Sequence, residues 1–206
     1  MLYIYPIVEG HGDERALPVL LRNILNSRFL FYDFKILHPY RLPKGKMKLE
    51  AEWGGVISLV NDRLSAECLD EDDRGLILVV CDADDDCLVS LKTQIDGFVN
   101  TTGHEHNFSF VAAHREYESW FLAAAESFSG HNDCAQSVVS VQNILQISDA
   151  KGYFERNILK DGRFYSETVD QPKFSAVIDF TLMPENNNRS LKRLLDILQS
   201  AVEETV

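Results

Sequence analysis

The sequence predicts an α/β fold in which a mostly parallel sheet is flanked by helices. Apolar segments of strand length lie at 2–8, 34–37, 76–80 and 108–113, and segments with apolar residues at helical spacing separate them. The segment at 76–80, LILVV, is continuously apolar, which is typical of a central strand covered on both faces. Strands that alternate with helices pair in parallel, because each crossover returns the chain to the same end of the sheet.

The bulk composition bounds the class of protein. The chain has 206 residues, of which 45% are hydrophobic and 25% are charged, so we expect one domain with a sizeable core. No apolar run approaches the roughly 20 residues that cross a bilayer. The apolar start of the chain, MLYIYPIV, lacks the basic residues that open a signal peptide. We therefore expect a cytoplasmic protein without membrane association.

Charge and cysteine spacing narrow the functional classes. The net charge of −12 argues against a surface coated with Lys and Arg for nucleic acid. It does not exclude a metal-dependent nuclease, because carboxylates that hold cations also count as negative charge. The cysteines lack the paired spacing of a zinc site, so we expect reduced thiols. They are Cys68, Cys81, Cys87 and Cys134.

The N-terminal elements follow a strand–helix order. The strand at 2–8 leads through the loop EGHGD into a helix, and Pro18 predicts that this helix starts late or bends. After the strand at 34–37, the sequence RLPKGKMK at 41–48 predicts a basic loop because it contains Pro and Gly. The next apolar periodicity predicts a helix that ends near Ala66.

The middle of the chain continues the same order. A helix at 88–99 follows the strand at 76–80, and the sequence REYESWFLAAAE predicts a helix directly after the strand at 108–113. Aromatic residues recur at helical spacing in that last helix, so we expect Trp120 and Phe121 to be core residues.

The alternation of strands and helices ends near Gly130. We assign residues 1–128 to the α/β core and 129–206 to a mainly helical C-terminal elaboration packed on it. Within the elaboration, 135–160 and 189–204 are predicted to be mostly helical, with an irregular stretch between them.

Acidic residues follow two of the predicted strands. Glu9 comes directly after the first strand, Asp13 lies four residues further on, and the run DADDD at 82–86 follows the central strand. The carboxyl ends of parallel strands lie at one edge of a sheet, where ligands bind, so we expect both groups to face one crevice. Residues i and i+2 of an extended segment share a side, which lets Asp82 and Asp84 approach one ion together.

These carboxylates predict a metal site. Several carboxylates this close repel one another unless a cation lies between them, and hard oxygen ligands suit Mg²⁺ or Mn²⁺. The alternative is a solvated acidic turn whose aspartates cap a helix. An EF-hand calcium loop is excluded, because its glycine is missing and position 93 is Thr rather than Glu.

The loop EGHGD contains two glycines and a histidine, for which different roles are expected. A G-x-G pair without G-x-G-x-x-G or G-K-S/T does not predict a nucleotide loop. We expect Gly10 and Gly12 to let the backbone turn sharply beside the metal. His11 is either a proton shuttle or phosphate contact, or an ordinary exposed loop histidine.

Two further acids stand at the start of the helix that follows 108–113. Carboxylates are favoured at a helix N-terminus by the helix dipole, which explains Glu116 and Glu118 without any function. Alternatively, one of them completes the acidic crevice. The sequence leaves both interpretations open.

One local basic cluster stands out in this acidic chain. It is either a solvated loop or the place where a nucleic-acid backbone rests beside the acidic crevice. Its members are Arg41, Lys44, Lys46 and Lys48.

The Glu-Gly after one strand and the Asp-x-Asp after a later one resemble the TOPRIM domain of topoisomerases, primases and overcoming-lysogenization-defect nucleases. In those nucleases an acid follows the glutamate by four residues, and Asp13 matches that position. The chain is more similar to a stand-alone bacterial TOPRIM-like family, domain of unknown function 4276, and the likeness covers nearly all of it. The matching blocks are 8–25, 41–48, 82–87, 115–127, 150–158, 165–174 and 189–198.

The resemblance implies a TOPRIM-like, Rossmann-like core and a metal site at the ends of its strands. The implied ligands are Glu9, Asp13, Asp82 and Asp84, with Glu118 beside them, and Asp86 of the same acidic run is a further candidate. It also singles out Lys151, Tyr165, Asp170 and Gln171, without indicating their role. Leu191 and Glu14 depart from the family pattern, and neither is a proposed ligand.

The resemblance further implies a place in bacterial anti-phage defence. Members of the family resemble effectors that are paired with an ABC-type ATPase. The partners expected here are therefore nucleic acid and an ABC-type ATPase, with a homodimer left open.

The expected activity is hydrolysis of phosphodiester bonds in DNA or RNA, including tRNA. Glu9, Asp82 and Asp84 are expected to hold one or two ions, and Asp13 and Glu118 to hold a second ion or to orient the attacking water. Lys46 or Arg41 is expected to neutralise the phosphate.

One alternative is a non-catalytic subunit that docks on an ATPase and senses nucleic acid or metal. Another is a phosphotransferase or primase-like enzyme, against which the missing nucleotide loop weighs.

Overall fold

A computed structural model describes residues 1–205 of the chain. Its centre is one five-stranded sheet in the order β2-β1-β4-β5, with β3 also paired to β1, and every strand pair in it is parallel. The strands are β1 (Leu2–Val8), β2 (Phe34–Ile36), β3 (Tyr40–Arg41), β4 (Arg74–Asp82) and β5 (Asn107–Ala113). The predicted α/β class with a mostly parallel sheet is confirmed, and the arrangement is consistent with a Rossmann-like fold.

Helices cover both faces of this sheet. They are α1 (His11–Asn23), α2 (Lys44–Met47), α3 (Glu50–Ser65), α4 (Leu88–Asn100), α5 (Glu118–Ala123), α6 (Ala150–Asn157), α7 (Glu167–Ser175) and α8 (Arg189–Glu203). Short 3-10 turns follow α5 and connect α6, α7 and α8 to their neighbours. Among the helices of residues 1–205, none has the length and apolar character that crossing a membrane requires.

The core has two layers because side chains alternate along the strands. Leu78 of β4 packs with residues of α1, α5, α7 and α8, whereas its neighbour Val79 packs with residues of α3 and α4. β4 is buried from Gly75 to Cys81, as expected for a central strand. Trp120 and Phe121 are completely buried, which confirms their predicted core role. The thiols of all four cysteines are free, as expected.

The C-terminal part shares the first of these layers. Phe121 and Phe128 pack edge-on or tilted against Phe154 of α6 and Phe174 of α7, with ring centroids 5.2–6.2 Å apart. α7 packs along α1, and α8 packs against β5. Residues from both sides of position 128 therefore form one continuous apolar cluster.

Two local predictions were wrong, and a third was wrong in one of its two alternatives. Helix α1 does not start late: it starts at His11 and continues through Pro18, because the Asp13 carboxylate accepts the backbone N–H of Gly10 and caps the helix upstream of the proline. The segment 41–48 is not all loop, since it contains the end of β3 and the short helix α2.

The remaining error concerns the C-terminal part. Only α6 and a 3-10 turn interrupt the irregular course of 135–160. The two ends of this segment meet, since the Ala135 N–H donates to the carbonyl of Ile158 and Cys134 forms an isolated bridge with Leu159. Conversely, the stretch predicted to be irregular contains α7.

Candidate functional site

The carboxyl ends of β1 and β4 open into a cavity of about 270 Å³. Acidic side chains from strands, loops and helices dominate its wall, and Lys151 is the only basic residue among the described residues that line it. The lining residues are Glu9, Gly10, Gly12, Asp13, Asp82, Asp84, Glu116, Glu118, Lys151, Glu167 and Gln171.

The strand register explains why acids from distant segments meet here. Val8 of β1 pairs with Val80 of β4, so Glu9 leaves the sheet beside the end of β4, where Asp82 is the last strand residue. Both strands run in the same direction, so both acids leave at the same edge, as the sequence predicted.

Asp13 reaches the cavity from the first turn of α1. Its Oδ2 accepts the backbone N–H of Gly10 at 3.0 Å, and its Oδ1 accepts the side-chain amide of Gln171 at 3.3 Å. Asp13 is 9% exposed, and burial raises its pKa. The residue therefore caps the helix and presents a carboxylate to the cavity at the same time.

Glu118, at the start of α5, is 3% exposed. Its Oε1 lies 3.4 Å from the Gln171 amide nitrogen, and burial raises its pKa to about 7. A carboxylate favoured only by a helix dipole would lie in solvent, so burial in the cavity wall favours the second of the two interpretations left open above. Glu116 also lines the cavity, where its Oε2 accepts the backbone N–H of Lys151 at 2.9 Å.

The electrostatics of the cavity indicate uncompensated negative charge. Burial raises the pKa of Asp82 well above its usual range, and the neighbouring Asp13, Glu118 and Glu9 raise it further. The pKa of Glu9 is also raised, mainly by burial. Groups that shift one another in this direction stabilise a cation placed among them.

The oxygen atoms of the cavity wall fit the coordination of a hard divalent cation. Glu9 Oε2 is buried without a hydrogen-bond partner, and so is Gln171 Oε1 in the same wall. Most residues that line the cavity carry carboxylates, whose hard oxygen atoms suit Mg²⁺ or Mn²⁺. Within residues 1–205, no three His, Cys, Asp or Glu side chains are grouped closely enough to hold one ion as they lie, so a cation would have to draw the carboxylates inward.

Asp84 lines the cavity, but not through the expected extended backbone. Its φ is +49°, in the left-handed region, and its N–H donates to the carbonyl of Arg115 at 2.8 Å. The i, i+2 argument therefore fails at this residue, because the chain turns immediately after β4. Asp84 Oδ2 accepts Lys44 Nζ at 2.6 Å.

Asp86 lies outside the cavity-lining residues, although it was a candidate ligand. Its Oδ2 is 3.1 Å from Lys44 Nζ and 2.7 Å from Lys48 Nζ, and these hydrogen bonds, that of Lys48 first, lower its pKa. Asp85 is mostly exposed and pairs with Arg115. These two acids therefore lie in an ion-paired turn outside the cavity, and neither caps helix α4, as the alternative interpretation had expected.

The basic cluster is largely neutralised by the chain's own acids. Lys44 is 9% exposed and faces Asp84 and Asp86, so its charge is directed at the acidic loop. Lys46 pairs with Glu52 at 3.2 Å and does not line the cavity. Arg41, at the end of β3, is exposed.

Gly12 serves packing rather than a sharp turn. It lies inside α1, and a Cβ at this position would come within 2.4 Å of Gln171 Oε1 and 3.1 Å of Glu167 Cβ. The expectation that Gly10 and Gly12 turn the backbone is therefore wrong at Gly12, whose missing side chain lets α7 approach α1. His11 is exposed and lies 3.4 Å from Glu14.

The four residues singled out by resemblance all lie at or behind the cavity. Lys151 lines it and pairs with Glu167 at 2.5 Å, and Gln171 contacts Asp13 and Glu118.

Asp170 is completely buried, where it accepts the backbone N–H of Ser166 at 2.7 Å and pairs with Arg163, so it fixes the start of α7. The hydroxyl group of Tyr165 is buried without a partner.

Glu167 is the cavity residue that the sequence did not indicate. It lies on α7, within the stretch predicted to be irregular, and the resemblance of the block at 165–174 does not single it out. A helical assignment for 167–175 would have placed Glu167 and Gln171 one turn apart on one face.

No protein-family model, curated protein or solved structure matches the chain in comparisons with known proteins. The residues of the cavity therefore carry the functional argument.

Proposed function

We propose that the protein is a Mg²⁺- or Mn²⁺-dependent nuclease that hydrolyses phosphodiester bonds in DNA or RNA, including tRNA. One observation carries the proposal: acids from two strand ends and three helices line a single cavity, and one of their oxygens, Glu9 Oε2, is buried without a partner. Such an arrangement destabilises the chain unless a cation is bound, so a function of the acids is the better explanation.

Glu9, Asp82 and Asp84 are the proposed cation ligands, because they follow or end β1 and β4 at one edge of the sheet and line the same cavity. Asp13 and Glu118 complete the site or orient the attacking water. When bound, a divalent cation in such a site polarises a phosphate oxygen and lowers the pKa of water.

Lys151 is the best-placed residue to neutralise a phosphate. It lines the cavity, whereas Lys46, which the sequence offers for this role as an alternative to Arg41, pairs with Glu52 away from it. Lys151 now pairs with Glu167, and a phosphate oxygen entering the cavity would compete for the same ammonium group. Arg41 remains a candidate contact for the more distant backbone because it is exposed.

The wider context of the activity rests on resemblance. A TOPRIM-like core and membership of an anti-phage defence system with an ABC-type ATPase partner are part of the proposal, as is a cytoplasmic location. The parallel sheet with acids at the ends of β1 and β4 supports the first of these.

A non-catalytic role is the second candidate, and one observation favours it. Lys44, Lys46 and Lys48 are all paired with acids of the same chain, so a nucleic-acid backbone would have to displace those acids in order to bind. A subunit that docks on an ATPase and senses metal or nucleic acid would need fewer free cations. Under this alternative, Asp84→Asn leaves the activity of the complex unchanged.

The test is a cleavage assay with the purified full-length protein, alone and together with an ABC-type ATPase partner. Labelled single- and double-stranded DNA, RNA and tRNA are incubated with Mg²⁺ or Mn²⁺. We expect cleavage by the wild type and none by the double variant Glu9→Gln, Asp82→Asn. The matched control is Glu71→Gln, Asp72→Asn, which removes the same charge from an exposed turn. Equal cleavage by all three proteins, or by none, overturns the nuclease proposal.

A further inference from the structure

Gln171 stands out among the cavity residues because its surroundings fix its side chain. It lies on α7, is 4% exposed, and is held so close to α1 that position 12 has no room for a Cβ. The amide is therefore placed by two packed helices, and its position does not depend on a mobile loop.

The amide nitrogen of Gln171 connects two acids from different elements. Nε2 lies 3.3 Å from Asp13 Oδ1 on α1 and 3.4 Å from Glu118 Oε1 on α5. An NH₂ group has two hydrogens, so it can donate one to each carboxylate. The reverse orientation of the amide would point its oxygen at both carboxylates, which is unfavourable.

The hydrogen-bond donor between Asp13 and Glu118 is a neutral amide, which affects the charge of the cavity. A lysine would cancel one of the negative charges, whereas the glutamine amide orients two carboxylates and leaves their charge available to a cation. The other end of the amide, Oε1, is buried in the cavity wall without a partner.

We propose that Gln171 is a positioning residue that ties Asp13 to Glu118 and makes helix α7 part of the cation site. This inference rests on the proposed function, since it assumes that the acidic cavity binds a divalent cation. It goes beyond that function because it assigns the C-terminal helix a share in cation affinity. Without α7, Asp13 and Glu118 lose their common hydrogen-bond donor.

The test measures Mn²⁺ binding to the full-length protein through the electron paramagnetic resonance signal of free Mn²⁺. Gln171→Met keeps the length of the side chain and removes both polar atoms, and we expect it to raise the Kd by about tenfold or more. Gln171→Asn keeps the amide but shortens the side chain, and we expect a similar loss. The control Gln199→Met removes an exposed amide from α8 and leaves the Kd unchanged. Circular dichroism confirms that each variant is folded.

A double-mutant cycle separates positioning from general loosening of the fold. If Gln171 acts through Glu118, its substitution has a much smaller effect, below about threefold, once Glu118→Gln has been introduced. Independent effects of the two substitutions, or an unchanged Kd in both Gln171 variants, overturn the inference while the cation site stands. Failure of the wild type to bind Mn²⁺ overturns the cation site and the inference together.

Discussion

Lys44 Nζ lies 2.6 Å from Asp84 Oδ2, and the same ammonium group lies 3.1 Å from Asp86 Oδ2. Although burial opposes the charged form, hydrogen bonds to Asp84 and Asp86 outweigh it and raise the pKa of Lys44. Lys44 also opposes the rise in the pKa of Glu9 that burial causes. The chain therefore supplies a cation of its own on one side of the acidic cavity.

This pairing predicts competition between Lys44 and a metal ion. Lys44→Met removes a positive charge and frees Asp84, so we expect Mn²⁺ to bind about tenfold more tightly, an effect of about 1.4 kcal/mol. Isothermal titration calorimetry of the variant measures the change. Lys46→Met, which breaks an ion pair with Glu52 away from the cavity, is the control and leaves the affinity unchanged. Weaker binding by Lys44→Met would mean that Lys44 holds Asp84 in place for the metal.

The raised pKa of Glu118 predicts that stability falls as pH rises. Burial moves this pKa from 4.5 to about 7, so the folded protein holds the proton more tightly than the unfolded chain does. The contribution is fully present below pH 4.5 and is lost as pH rises through 7. A shift of this size corresponds to up to about 3 kcal/mol in the free energy of unfolding.

Urea unfolding between pH 4.5 and 7.5 in the presence of EDTA measures this dependence. Glu118→Gln cannot titrate, so its free energy of unfolding should change less over this window than that of the wild type. The control Glu71→Gln, at an exposed position, should follow the wild type. If the free energy of unfolding changes with pH by the same amount in all three proteins, the burial of an ionisable Glu118 is contradicted.

The close approach of α7 to α1 predicts opposite outcomes for two Gly→Ala substitutions. Gly55 is exposed in the interior of α3, and a Cβ added there would have no neighbouring atom within 4 Å, so Gly55→Ala should stabilise the protein by about 1 kcal/mol. Gly12→Ala places a methyl group 2.4 Å from Gln171 Oε1 and should destabilise it by about 1–3 kcal/mol. Thermal unfolding of both variants measures the difference. Stabilisation by Gly12→Ala would mean that α7 can move away from α1 with little loss of free energy.

The sequence predicted those parts of the molecule that local patterns determine. β1 has the predicted bounds because its apolar run is closed by Glu9, and the buried run of β4 ends in the predicted acids. Glu9 and Asp82 could be placed at one edge because parallel strands share a direction. No tertiary information was needed for these steps.

The rest of the site depends on contacts between distant segments. Gln171 meets Asp13 only because α7 packs along α1, and Glu167 comes with it on the same helix. Lys44 looked like a surface lysine in a basic loop, yet its partners are acids of another loop. Spacing in the sequence carries no signal for such pairings, since they depend on how helices dock on the sheet.

A buried hydrogen-bond network at the start of α8 predicts a large effect for a small substitution. Ser190 Oγ accepts the backbone N–H of His114 at 3.1 Å and Nε1 of Trp120 at 2.8 Å, and it donates to Asn188 Oδ1 at 2.8 Å. Ser190→Ala leaves both donors without a partner, so we expect the free energy of unfolding to fall by about 3 kcal/mol. Ser200→Ala, at an exposed position of the same helix, should change it by less than about 0.5 kcal/mol. Urea unfolding compares the two variants, and equal stabilities would mean that water replaces the lost hydroxyl group.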